Sequence, residues 1–72
     1  MAYSVVLFFS TAHAIRAEKV LQQAGYGTKM IPTPRHLSSY CGMALRFVTS
    51  DHDGLAATLA ASRVPTNGIH AL

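Results

Sequence analysis

The sequence predicts an α/β chain of the α+β kind, a two-layer sandwich in which two helices cover one face of a four-stranded antiparallel sheet. Three observations lead there. Val5-Val6-Leu7-Phe8-Phe9 is a β-branched and aromatic run without alternation, which reads as a central strand apolar on both faces. A stripe of apolar residues at helical spacing follows it. Two more strand-like segments then precede a second helix, giving the order β-α-β-β-α-β.

Each element has its own signal. Ser10 or Thr11 is suited to cap the first helix, in which Ala14, Ala17, Leu21 and Ala24 recur at three- and four-residue steps and Val20 widens the stripe. Arg16, Glu18, Lys19, Gln22 and Gln23 fill its other side, and Gly25 is a good stop. Residues 28–31 form a weaker second strand, ended by Pro32-Thr33-Pro34, where two prolines withdraw backbone donors. Met43-Ala44-Leu45-Arg46-Phe47-Val48 reads as the third strand. Ser50, Asp51 or Asp53 is expected to cap a second helix carrying Leu55, Ala56, Leu59 and Ala60. Val64-Pro65-Thr66-Asn67-Gly68 reads as a turn, and Ile69-His70-Ala71-Leu72 as a short last strand.

That order suits the ferredoxin-like arrangement, and a right-handed first crossover puts strand three between strands one and two. Strand one then ends where the first helix begins and where residues 32–42 leave the sheet. Chain order alone therefore brings the single cysteine, Cys41, towards Ser10, Thr11 and the leading amides of that helix.

Composition narrows the function classes. The 72 residues allow one domain, half apolar and 12% charged. A body this small buries only about 60% of its unfolded surface, so leftover apolar surface and self-association through the sheet face are expected. The net charge of +3 is spread over Arg16, Lys19, Lys29, Arg35, Arg46 and Arg63, without the clustering of a nucleic-acid binder. One cysteine excludes an internal disulfide and any multi-cysteine zinc motif. The start of the chain has no basic region, and its apolar run is too short for a signal peptide or a membrane span. A cytoplasmic protein with a reduced thiol is the expectation.

The segment Arg35-His36-Leu37-Ser38-Ser39-Tyr40-Cys41-Gly42 holds the chemistry. Thiol chemistry needs the thiolate, which a helix N-terminus and nearby cations favour. Arg35 and His36 are possible donors to a sulfur anion, Ser38 and Ser39 add hydroxyls, and Gly42 leaves room for a bound group. The plain alternative is that Cys41 is a small buried hydrophobe, Ser38-Ser39 is turn chemistry, and His13, His52 and His70 are ordinary surface residues. A metal site of Cys41, His36 and His13 lacks a recognised ligand spacing. A protease-like Cys–His pair lacks an orienting partner and a cleft. Glu18, Asp51 and Asp53 are too scattered for an acid–base pair, and Gly25-Tyr26-Gly27 lacks the lysine and helix of a phosphate loop.

At these residues the chain resembles the selenium/sulfur carrier protein-like family. The resemblance runs through Phe8-Phe9-Ser10-Thr11, Ala14-Ile15-Arg16-Ala17-Glu18 and Ile31-Pro32-Thr33-Pro34-Arg35, then from Leu37-Ser38-Ser39-Tyr40-Cys41-Gly42 through Met43-Ala44-Leu45-Arg46. Pro-x-Pro-Arg followed by Ser-Ser-x-Cys-Gly is its most specific part. His36 and Tyr40 depart from the pattern, standing where other polar and small residues are more usual. The resemblance implies a cofactor-free carrier that holds sulfur or selenium on Cys41 as a persulfide-type adduct. It also implies donor and acceptor proteins as partners, and delivery rather than independent turnover. The competing expectation is a binding or regulatory module in which Cys41 is packing and residues 35–42 bind an anion or a protein.

Overall fold

The computed structural model describes residues 2–37 and 42–72. In chain order the elements are β1 (Tyr3–Leu7), α1 (Thr11–Gln23), β2 (Thr28–Pro32), β3 (Met43–Val48), a 3-10 turn (Thr49–Asp51), α2 (His52–Ala61) and β4 (Ile69–Ala71). The four strands make one antiparallel sheet in the order β2-β3-β1-β4. Strand three thus lies between strands one and two, and β1 is central, as its two-sided apolarity requires.

The apolar run marks burial rather than strand limits. β1 starts two residues earlier than Val5, because Tyr3 and Ser4 pair with Val48 and Phe47. It ends at Leu7. Phe8, although outside the strand, is fully buried in the helix-side core, while Phe9 is 45% exposed.

Successive strand residues point to opposite faces, and the core divides accordingly. Val6, Leu45 and Phe47 face the helices and pack with Ala14, Ala17 and Leu21 of α1 and Leu55 and Leu59 of α2. Val5, Leu7 and Ala44 form a separate cluster on the other face. Ser4 is the buried polar strand residue, and its hydroxyl is satisfied at 2.8 Å by that of Thr49.

The helix ends are fixed locally. Ser10 is the N-cap of α1, its hydroxyl accepting the His13 N–H at 3.3 Å. α1 closes with paired bonds, Gly25 N–H to Gln22 C=O and Tyr26 N–H to Leu21 C=O, with Gly25 at φ 89°. α2 closes identically, Arg63 N–H to Ala60 C=O and Val64 N–H to Leu59 C=O, but with Arg63 at φ 56° in the left-handed position. Ala24, expected on the buried stripe of α1, is its exposed C-cap. The capping expectation for α2 needs correction. Asp51 stands at the N-cap position without a side-chain capping bond. The preceding 3-10 turn supplies a backbone acceptor instead, the Thr49 carbonyl taking the His52 N–H.

The two helices are tied by the Arg16 guanidinium, which donates to the Ser62 carbonyl at 2.9 Å. Tyr26 packs against the core and lies so close to Gly54 that a Cβ there would run into its hydroxyl.

Candidate functional site

Three chain segments meet at the end of the sheet where β1 stops. The register Leu7↔Ala44 and Pro32↔Met43 puts the start of β3 and the end of β2 there. The Thr33 N–H donates to the Gly42 carbonyl at 2.9 Å, closing the base of the segment between them. The third contributor is the approach to β4. Leu7 N–H donates to Gly68 C=O at 2.9 Å, and Asn67 N–H donates to Leu7 C=O at 2.6 Å. Sequence reading saw Asn67-Gly68 as a turn but not as part of this rim. The Asn-Gly pair marks a turn without saying which strand end it will join.

The expected site residues distribute as follows. Arg35 and His36 sit in an exposed turn closed by the Leu37 N–H on the Pro34 carbonyl at 3.0 Å. Gly42 is exposed at the other end of the segment. Ser10 is half-buried and engaged as the cap of α1, and Thr11 is the exposed first residue of that helix. Cys41, Ser38 and Ser39 lie outside the described residues. Of the other candidates, His13 is half-buried in the first turn of α1 with its Nδ1 enclosed and without a hydrogen-bond partner. Among the described residues, no three His, Cys, Asp or Glu side chains gather as a metal site.

Leu37 adds a feature that residue types alone did not reveal. It packs against the Val5, Leu7 and Ala44 cluster. The chain leaving the Arg35-His36 turn therefore passes onto the sheet face opposite the helices, whereas Ser10 opens a helix on the covered face.

The helix-free face is set by register. Lys29, Arg46, Val5 and His70 are cross-strand neighbours in one row, and Ile31, Ala44 and Leu7 form the next. Arg46 lies over the Tyr3 ring, 4.5 Å from its centroid. Alternation along strands two, three and four puts Lys29, Arg46 and His70 on this side.

The chain is a small α+β domain in which both helices lie on one face of a four-stranded antiparallel sheet. The family model described as "Putative Se/S carrier protein-like" matches residues 3–71, and the chain belongs to that family. No curated protein and no solved structure matches it. No helix of the described residues is long and apolar enough to cross a membrane.

Proposed function

We propose that the protein carries reduced sulfur or selenium on Cys41, within a ferredoxin-like frame, in the cytoplasm. The observation that carries the reading is the family match over residues 3–71, a span that includes Cys41. In the loading step the Cys41 thiolate attacks the outer sulfur of a donor protein's persulfide. The new bond forms as the donor's sulfur–sulfur bond breaks, and the donor leaves as a thiolate. In unloading, an acceptor thiolate attacks the outer sulfur of the Cys41 adduct and Cys41 leaves. Neither step needs an external oxidant or reductant, and selenium follows the same scheme.

The surrounding residues have roles in this reading. Arg35 and His36, in the exposed turn, stabilise the anion, while Ser38, Ser39 and Gly42 shape the space around the adduct. Ser10 and Thr11 bring the amides of α1. A low leaving-group pKa speeds the unloading step, so cations near the sulfur aid release as well as attack.

Mass spectrometry after incubation with glutathione persulfide tests the proposal. The expected product is the whole protein heavier by one sulfur atom, with Cys41→Ser unchanged in mass. An unmodified wild-type chain that also resists alkylation at neutral pH would leave Cys41 as packing and favour the binding-module reading.

A further inference from the structure

We infer that the helix-free sheet face is the docking surface for an acidic protein partner. The charge distribution carries the inference. Lys29 and Arg46 are direct cross-strand neighbours, and His70 lies in the same row beyond Val5. At about 4.8 Å per strand this row spans roughly 14 Å, the width of a short extended segment with carboxylates. Lys29 and His70 are exposed and Arg46 half-exposed. All three acidic residues of the chain lie elsewhere: Glu18 on α1, Asp51 in the 3-10 turn and Asp53 on α2. The face thus presents the Lys29 and Arg46 cations beside the His70 ring, a hydrogen-bond donor, with no Asp or Glu side chain among them, a field that selects carboxylates.

Two other occupants fit less well. Sheets that bind single-stranded RNA stack bases on several exposed aromatics. Among the described strand residues on this face the only Phe, Tyr or Trp is Tyr3, and Arg46 already covers its ring. A second copy, expected earlier from the apolar share of the chain, would bring one Lys29–Arg46 pair against another, and like charges opposed in this way repel.

The face also has a link to the chemistry. Leu37 packs on it, so the segment leading to Cys41 starts beside the docking row. The inference rests on the carrier reading for what a partner would deliver, but the docking itself does not need the thiol.

The test therefore reads binding in Cys41→Ser protein. The isotopically labelled full chain is titrated with a peptide of alternating glutamate and serine, with its lysine-for-glutamate counterpart, and with oligouridine. The glutamate peptide should give saturable NMR shifts confined to Tyr3, Lys29, Arg46, His70 and their row neighbours. Raising salt from about 0.05 M to 0.3 M should weaken binding about fivefold or more. Lys29→Glu with Arg46→Glu should weaken it about tenfold, and Arg16→Glu with Lys19→Glu less than about twofold. Lys29→Gln with Arg46→Gln serves if the charge reversal disturbs the fold, and should still weaken binding measurably. Absence of saturable shifts, equal shifts on α1, tighter binding of oligouridine, or dimerisation through this face would each overturn the inference. A wild-type chain that takes up no persulfide sulfur, with peptide binding intact in the Cys41→Ser protein, would overturn the carrier reading alone.

Discussion

The two faces of the sheet use the same strands under different rules. On the covered face Val6, Leu45 and Phe47 meet apolar side chains from two helices, and the cluster gathers ten buried residues. On the other face Val5, Leu7 and Ala44 are equally inaccessible, yet among the described residues they form a cluster of three, joined by Ile31 and by Leu37 from a connecting segment. Beside them the same face carries Lys29, Arg46 and His70. Stability is therefore concentrated on one side. The other side keeps a small apolar footing for Leu37 beside the half-exposed Arg46 and the exposed Lys29.

The largest effect should come from the covered face. Phe47→Ala removes a ring from the main cluster and is expected to cost about 3–5 kcal/mol, close to the whole stability of a domain this small. Urea denaturation followed by circular dichroism should show a mostly unfolded chain. Leu7→Ala, equally buried but on the thinner side, should cost about 2–3 kcal/mol, because its neighbours relax more readily into the space. Equal costs for the two would mean that the faces are packed alike and would break the contrast.

Leu37→Ala sharpens it further. The side chain is half-buried and its loss should cost about 1 kcal/mol. Amide exchange should quicken at Leu37 and Thr33, whose N–H groups close this segment, while α1 and α2 amides keep their protection. Faster exchange across the helices as well would show that the segment is part of the main core.

Two smaller changes act within the helix layer. Gly54→Ala gains about 1 kcal/mol of helix propensity but forces the Cβ against the Tyr26 hydroxyl. Because Tyr26 is packed against the core, the overpacking should win by about 1 kcal/mol. In a Tyr26→Phe background the penalty should shrink, which a double-mutant cycle in urea would measure. Arg63→Gly relieves a left-handed non-glycine residue and should raise stability by about 1 kcal/mol or slightly less. An unchanged denaturation midpoint would mean that the extra freedom of glycine in the unfolded chain offsets the relief.

The two helix ends show how far local signals reach. Gly25 announces the close of α1 because glycine enters the left-handed region freely. Arg63 performs the same closure without any such signal. There the hydrogen bonds to Ala60 and Leu59, together with burial of Val64, outweigh the local preference. The start of α2 is similar: of three plausible caps visible in the sequence, Asp51 takes the N-cap position, but the backbone of the 3-10 turn makes the bond that its side chain does not. Among the site residues, Ser10 as cap was legible from residue type. The anchoring role of Leu37 was not, because an apolar residue in a connection does not say which face will receive it.

By itself the sequence determined the four strands and two helices, the central place of β1 and the stripe that α1 buries. These follow from periodicity and local capping, which act over a few residues and survive without a partner. Only the tertiary structure decided that Lys29, Arg46 and His70 share one row, that Asn67 and Gly68 join the rim beside Leu7, and that Leu37 packs on the helix-free face. Those relations depend on register between strands distant in the chain, and register is settled by which side chains can be buried together.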